Sequence, residues 1–179
     1  MRMNDISDAM SFWHGGNLDI EKDSHKKGRW EYGPGLYLIT KYSVAQKYAR
    51  GNRKLYRVDV ERGNASNNTY IPTENVLSFV KSNAIRTKQR DVMQVIQDRN
   101  KDGKILSDIV INVLINFEAL QSTKASLFRK FLVDNGVDYT IVDRPFGWGD
   151  STMMVLYNMK KITSKKQITA KDKIEVFDL

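Results

Sequence analysis

Two segments near the amino terminus limit the possible folds of this chain more than any other feature. Residues Ser11–Gly15 alternate apolar and aromatic residues and predict a strand. The turn-forming residues Gly33–Gly35 precede a second apolar segment, Gly35–Ile39, which predicts another strand. The chain is therefore expected to build a sheet from its first forty residues.

A short helix is predicted directly after the second strand, over Ser43–Arg50. Thr40 is expected to cap its amino terminus and Gly51 to end it. Tyr37 on the strand and Tyr48 on the helix stand eleven positions apart. This spacing places two aromatic side chains at the junction between a strand and the helix that follows it.

The remaining pattern predicts an α+β domain in which strands frame a central helical block. Four further strands are predicted, at Lys54–Val60, Val137–Asp143, Met153–Tyr157 and Ile174–Phe177. Helical periodicity predicts four more helices, at Thr73–Lys81, Thr87–Asp98, Ile105–Leu120 and Lys124–Asp134. We interpret residues 1–179 as a single domain, with residues 61–124 as a mainly helical insertion.

Composition excludes several classes of site. The chain has no cysteine, so disulfides and cysteine-ligated zinc are impossible, and a reducing cytoplasm is the expected location. Two histidines make a histidine-rich metal site improbable, and no metal is expected. No membrane association is expected either, because the longest apolar stretch, 109–115, is interrupted by Asn112 and far too short to span a bilayer.

The net charge of +8 indicates anionic partners. The basic residues are spread along the chain, with local concentrations at Lys26–Arg29, Arg50–Arg57, Arg86–Arg90, and Lys160–Lys166. Three interpretations remain open at this point: a solvated surface, a nucleic-acid-binding face, and a face for an acidic protein.

The amino-terminal blocks, taken together, resemble a known family. Phe12-Trp13-His14-Gly15, Gly33-Pro34-Gly35-Leu36-Tyr37 and Tyr48 are similar to the NAD-binding half of diphtheria-toxin-like and poly(ADP-ribose)-polymerase-like ADP-ribosyltransferases. Residues 125–163, which include the predicted strand Met153–Tyr157, resemble the carboxyl-terminal part of that fold. The resemblance implies an ADP-ribosyltransferase-like split central sheet with an inserted helical block.

The resemblance also implies roles for four residues. Gly15 would bind the nicotinamide carboxamide through its backbone, and His14 would hydrogen-bond a ribose hydroxyl of the adenosine half. Tyr37 and Tyr48 would hold the nicotinamide ring between them. His14 and Tyr37 are thus expected in the catalytic site, and NAD is the expected substrate.

The chain departs from the family pattern at two positions. Ala45 stands where a serine often bonds the carboxamide. The catalytic glutamate of the family is also missing, because Thr152 or Met153 occupies its position. Asp150 is our first candidate for the missing carboxylate, Asp143 is the second, and the absence of any catalytic carboxylate is the third possibility.

These features favour a mono-ADP-ribosyltransferase that transfers ADP-ribose from NAD to an acidic macromolecular acceptor, either protein or nucleic acid. A bacterial effector, a toxin or a phage counter-defence protein would suit such a chain. The alternative is an inactive module on the same fold that binds NAD, ADP-ribose or a partner. A 2′-phosphotransferase of the same fold is less well supported, because it needs further histidine and arginine ligands for phosphate.

Overall fold

The computed structural model describes residues 9–20, 30–49, 54–147 and 149–168. The described strands are β1 (Ala9–Gly15), β2 (Leu36–Ile39), β3 (Leu55–Glu61), β4 (Tyr70–Pro72), β5 (Lys104–Leu106), β6 (Tyr139–Asp143), β7 (Thr152–Leu156) and β8 (Ile162–Ile168). The described α-helices are α1 (Tyr42–Tyr48), α2 (Thr73–Asn83), α3 (Arg86–Asp98), α4 (Ser107–Asn116) and α5 (Ala125–Asp134). Single 3-10 turns occur at Ser122–Lys124, Pro145–Gly147 and Met159–Lys161.

Six strands form the main sheet, in the order β6-β7-β2-β1-β3-β8. Every neighbouring pair in this sheet is antiparallel. Strands β4 and β5 pair separately as a two-stranded sheet within the helical block. The architecture is therefore α+β, as the sequence predicts.

Each face of the main sheet buries its own apolar cluster. On one face, which we call the helix-covered face, Trp13, Ile39, Val155 and residues of all five helices form a single core. On the other, which we call the opposite face, Phe12, Leu38, Val58, Met154 and Leu156 form a second cluster. Because side chains alternate along a strand, consecutive residues within β1 contribute to different cores, and so do consecutive residues within β2.

The helical block is fastened to the outer edge of β6 by polar contacts. Ala65 forms a parallel bridge with Tyr139, and the Ser66 N–H donates to the Tyr139 carbonyl oxygen at 2.8 Å. The Ser66 side chain also accepts a hydrogen bond from Thr140 and donates one to Asp108 of α4. Residues Ala65 and Ser66 thus join the insertion to the sheet at the beginning of strand β6.

The start of α1 differs from the sequence prediction. Lys41, rather than Thr40, occupies the N-cap position, and no side chain caps the helix. The Thr40 hydroxyl instead accepts a hydrogen bond from the Thr152 N–H at 2.9 Å, which links β2 to the beginning of β7. The predicted helix end at Gly51 lies outside the described residues.

The other differences lie in strands that the sequence pattern does not reveal. The helix predicted from Ile105 begins at Ser107, because Ile105 and Leu106 pair with Ile71 and Tyr70 in the small sheet. Strand β8 was not predicted, since its middle residues are polar and lack an apolar alternation. The predicted strand at Ile174–Phe177 lies outside the described residues.

Candidate functional site

The main sheet is open between β1 and β2. Strand β1 pairs with β3 through seven successive residue pairs, but with β2 through the single described pair Trp13↔Ile39. Beyond that pair, the His14 ring takes the place of the backbone ladder, with Nδ1 2.9 Å from the Tyr37 carbonyl oxygen. The strand ends that carry Gly15 and Tyr37 therefore border a gap in the sheet.

His14 contacts two carbonyl oxygens at this gap. Its Nε2 lies 3.0 Å from the Asn17 carbonyl oxygen, in addition to the Nδ1 contact with Tyr37. A neutral imidazole carries one N–H and donates to only one of these acceptors. Its other ring nitrogen then faces an oxygen that cannot donate to it. A ligand hydroxyl that displaces one carbonyl can donate to this nitrogen.

Gly15 packs directly against helix α1. A Cβ atom at this position would lie 1.8 Å from the Ala45 carbonyl oxygen and 2.8 Å from the Ala49 nitrogen. The glycine is therefore required for contact between strand and helix, a reason that the sequence prediction did not include. Its backbone remains at the gap between β1 and β2, where the resemblance expects a carboxamide to bind.

Tyr37 is anchored at the same gap by a turn. Its hydroxyl donates to the Gly33 carbonyl oxygen at 3.0 Å and accepts from the Tyr32 N–H at 3.2 Å. Burial raises the pKa of the Tyr37 hydroxyl well above its ordinary value, so the group stays protonated at neutral pH. The phenol is thus a fixed wall of the site and not an acid or base.

Tyr157 supports this turn through a hydrogen bond to its backbone, a role that was not predicted from the sequence. Its fully buried hydroxyl donates to the Tyr32 carbonyl oxygen at 2.6 Å and lies 2.8 Å from the Thr140 hydroxyl. Burial also raises the pKa of the Tyr157 hydroxyl. A Cβ at Gly33 would lie 2.7 Å from this hydroxyl, so the turn needs glycine here. The sequence signal was limited to an aromatic residue at the end of a predicted strand.

Tyr48 projects from the last turn of α1. It follows the buried residues Val44 and Ala45 by one turn, and its side chain is 61% exposed. Gly15, Tyr37 and α1 share the helix-covered face, whereas alternation along β1 places the His14 side chain on the opposite face. The structure therefore brings Gly15, Tyr37 and the Tyr48 helix together on one face, and the His14 ring contacts the backbone of Tyr37 from the other face.

The candidate carboxylates lie at the end of β6, for Asp143, and just before the beginning of β7, for Asp150. Asp143 accepts a hydrogen bond from the Thr152 hydroxyl at 3.1 Å. Asp150 is 91% exposed and forms an ion pair with Arg144 at 3.1 Å. Thr152 and Met153 are the two positions where the resemblance places the family glutamate, and Met153 is 2% exposed and packs in the core of the helix-covered face.

These carboxylates are separated from His14 along the sheet. Thr152 is hydrogen-bonded to Thr40, whereas the register of β1 and β2 sets Gly15 beside Tyr37. Three residues of strand separate Thr152 from the level of Gly15, which corresponds to about 10 Å, and two residues separate it from the level of His14, which corresponds to about 7 Å. A carboxylate at 143 or 150 therefore needs movement of the 144–151 loop, or an extended ligand, to act with His14.

One buried polar atom stands next to Asp150. The Ser151 side chain is 5% exposed, and its hydroxyl has no hydrogen-bond partner in the described part of the chain. The Trp13 indole N–H, on the helix-covered face of β1, is likewise buried and unpartnered among the described residues. Both atoms can bond to a water or a ligand, and neither was identified from the sequence.

The described residues contain no group of three or more histidine, cysteine, aspartate or glutamate side chains that could hold a metal ion. Within the same residues, every helix is too short or too polar to cross a membrane.

Comparison of the chain with protein-family models, curated proteins and solved structures finds no significant match.

Proposed function

We propose that this protein is a mono-ADP-ribosyltransferase that uses NAD and modifies a macromolecular acceptor, either protein or nucleic acid. The observation that carries the proposal is the gap between β1 and β2, which is bordered by His14, Gly15 and Tyr37. Helix α1 brings Tyr48 to the same face of the sheet. We place the reaction in the cytoplasm, since a chain without cysteine suits a reducing compartment.

The proposed reaction breaks the bond between nicotinamide and the ribose anomeric carbon. Nicotinamide takes the bonding electrons and leaves as a neutral ring, while positive charge develops on the ribose. A nucleophilic atom of the acceptor then bonds to the anomeric carbon and loses a proton to a base. The protein must grip the carboxamide, hold the ring and stabilise the cationic ribose.

Each residue at the gap fits one of these tasks. The Gly15 backbone can bind the carboxamide, and the aromatic faces of Tyr37 and Tyr48 can hold the ring. The His14 nitrogen that faces an acceptor can take a hydrogen bond from a ribose hydroxyl. Tyr37 is suited to a fixed wall, because its hydroxyl is already engaged by the Tyr32–Gly33 turn.

We assign Asp150 as the carboxylate that stabilises the ribose cation. It lies on the loop before β7, and its exposed ion pair with Arg144 is of a kind that contributes little free energy. The loop can therefore release Asp150 at small cost. Asp143 is less suited, since it is held by Thr152 at the end of β6.

Asp150→Asn tests this assignment. The substitution keeps the shape of the side chain but removes a charge that acts only in the transition state. We expect kcat for NAD cleavage to fall roughly 100-fold with little change in NAD affinity. Asp143→Asn is the matched control and should change kcat much less. Full activity in Asp150→Asn together with loss in Asp143→Asn would reverse the two roles.

The second candidate is an inactive module that binds NAD or ADP-ribose. It is favoured by the residues at the two positions where the resemblance places the catalytic glutamate, because Thr152 carries no charge and Met153 is apolar and buried. Isothermal calorimetry and labelled-NAD transfer in a cell lysate distinguish the two functions. Binding of NAD without release of nicotinamide, in the wild type and in both aspartate variants, would establish the module.

A further inference from the structure

A series of hydrogen-bonded side chains connects the helical block to the turn before β2. Asp108, in the first turn of α4, accepts a hydrogen bond from the Ser66 hydroxyl at 3.2 Å. Ser66 accepts one from the Thr140 hydroxyl at 2.9 Å, and the Thr140 hydroxyl lies 2.8 Å from the Tyr157 hydroxyl. Tyr157 donates to the Tyr32 carbonyl oxygen at 2.6 Å. We call this series, with its four successive contacts between oxygens, the hydroxyl chain.

The hydroxyl chain has fewer hydrogens than contacts. Each of its three hydroxyls carries one hydrogen, and burial raises the pKa of Tyr157, so that its hydroxyl stays protonated at neutral pH. Both ends of the chain only accept, because an ionised carboxylate and a carbonyl have no hydrogen to donate. Three hydrogens cannot fill four contacts, so one contact brings two oxygens together without a hydrogen between them.

The surroundings of the hydroxyl chain do not supply the missing hydrogen. Ser66 and Tyr157 are 1% exposed and Thr140 is 5% exposed, so bulk solvent does not reach the three hydroxyls. The nearby backbone donors are engaged elsewhere, since the Ser66 N–H is bonded to the Tyr139 carbonyl oxygen and the Asp108 N–H to the Ser66 carbonyl oxygen. Among the described residues, the chain therefore has to share three hydrogens within itself.

The charge of Asp108 determines which contact lacks a hydrogen. A hydrogen bond to an ionised group is about twice as strong as one between neutral groups. The Ser66 hydrogen is therefore held at Asp108, and Thr140 in turn donates to Ser66. The Tyr157 hydrogen then has two competing acceptors, the Thr140 oxygen and the Tyr32 carbonyl oxygen. Any share of this hydrogen that goes to Thr140 is lost from the turn.

We propose that Asp108 is a positioning residue, and that its carboxylate weakens the hydrogen bond by which Tyr157 holds the Tyr32–Gly33 turn. That turn engages the Tyr37 hydroxyl, so a looser turn lowers the affinity for a ring that binds against Tyr37. The helical block thus adjusts the candidate site through the direction of hydrogen bonds. The consequence for NAD rests on the proposed function, whereas the coupling between Asp108 and the turn does not.

Asp108→Asn is the direct test, because an amide can donate the missing hydrogen. The Asn112 amide donates to Asp108 Oδ2 at 3.2 Å, so in the variant the amide oxygen keeps that site and the amide nitrogen faces Ser66. All four contacts are then filled, and Tyr157 donates only to the turn. We expect the Gly35 N–H, which is bonded within the turn, to exchange with solvent roughly two- to tenfold more slowly, and NAD affinity to rise by a similar factor.

Asp98→Asn is the matched control. It makes the same charge change on α3, where Asp98 accepts a hydrogen bond from Gln94 at 2.8 Å, away from the hydroxyl chain. It should change neither the exchange of the Gly35 N–H nor NAD affinity. An equal effect in Asp98→Asn and Asp108→Asn would show that net charge alone is responsible and would overturn the inference.

Thr140→Val tests the competition from the other side. The substitution replaces the competing hydroxyl with a methyl group, so the Tyr157 hydrogen should bond to the turn alone. We expect Gly35 exchange to be no faster and NAD affinity no weaker than in the wild type, even where the free energy of unfolding falls. Faster exchange and weaker NAD binding would show that Thr140 simply supports Tyr157, which would overturn the inference.

Nuclear magnetic resonance of the free protein and NAD calorimetry separate this inference from the proposed function. Slower Gly35 exchange in a correctly folded Asp108→Asn protein supports the coupling. If the wild type binds no NAD, the same result still supports the coupling and opposes only the transferase. Unchanged or faster Gly35 exchange in Asp108→Asn would overturn the coupling. Slower exchange without a gain in affinity, in a protein that does bind NAD, would overturn its consequence for the ligand.

Discussion

The single hydrogen that Gly15 carries in place of a side chain decides how closely helix α1 approaches β1. The Cβ of any other residue would overlap the Ala45 carbonyl oxygen, at 1.8 Å. That oxygen belongs to the helix backbone, so the clash cannot be relieved by rotation of a side chain. The helix would have to move outward, and Tyr48 would move with it.

We therefore predict that Gly15→Ala lowers the free energy of unfolding by about 2–3 kcal/mol, the cost of overpacking a rigid contact. Urea denaturation measures this loss. The control is Gly103→Ala, where a Cβ meets nothing but the backbone has φ +79°. Strain alone should cost the control about 1 kcal/mol. Equal losses in the two variants would contradict the close packing of Gly15.

Tyr48 should matter for ligand binding more than for stability. Its side chain is 61% exposed, so Tyr48→Ala removes little buried surface. We expect NAD affinity to fall roughly 5- to 150-fold, the effect of about 1–3 kcal/mol of lost stacking on a flat ring. Calorimetry checks this expectation. Tyr70→Ala, at a comparably exposed tyrosine of β4, should leave NAD affinity unchanged.

The sequence predicts the residues of the candidate site better than it predicts their contacts. His14, Gly15 and Tyr37 lie beside the gap between β1 and β2, because the end of β1 and the turn before β2 set their positions along the two strands. The backbone contact that requires Gly15, and the support from Tyr157, depend on residues distant in the chain. No local pattern carries such information.

At the scale of elements, the turn before β2 is held by hydrogen bonds from two tyrosine hydroxyls. The Tyr37 hydroxyl donates to the Gly33 carbonyl oxygen in this turn. The hydroxyl of Tyr157, the residue after β7, donates to the Tyr32 carbonyl oxygen. The Thr140 hydroxyl links Tyr157 to Ser66, and Ser66 contacts Asp108 of α4. A chain of buried hydroxyls thus connects the helical block to the turn.

We predict that Tyr157→Phe weakens both stability and NAD binding. Removing the hydroxyl takes away the hydrogen bond that Tyr157 donates to the Tyr32 carbonyl oxygen, which should cost about 1 kcal/mol of unfolding free energy. The freed turn should also hold Tyr37 less firmly. Tyr139→Phe is the matched control, since its hydroxyl donates to the Gly63 carbonyl away from this turn. It should reduce stability without changing NAD affinity, as measured by denaturation and calorimetry.

Elements with a local signal were predicted, and elements formed by pairing alone were not. Strands β1, β2, β6 and β7 carry apolar runs, and Gly136, with φ +81°, ends α5 as expected. Strand β8 has a polar interior, and β4 and β5 have three residues each, so their backbone partners determine them. Sequence periodicity reports burial, and these strands bury too little to leave a pattern.

At the scale of the whole molecule, the charge of +8 should act on the acceptor more than on NAD. A macromolecule with many phosphates or carboxylates contacts several cations at once, and added salt weakens each contact. We predict that kcat/KM for the acceptor falls more steeply between 50 and 200 mM salt than the rate of NAD hydrolysis does. Parallel salt titrations of both activities check this, and equal slopes would limit the role of the charge to solubility.

The strand order also sets when the site can form during synthesis. Strands β1, β2 and β3 lie at the centre of the sheet, but β7 pairs with β2 and β8 pairs with β3. The partners that complete the centre are thus encoded more than ninety positions after the strands they join, such as Ile39 with Met153. In a nascent chain, the residues of the candidate site are therefore synthesised well before the strands that support them in the sheet. The candidate site can therefore be completed only after the last described strand, β8, has left the ribosome.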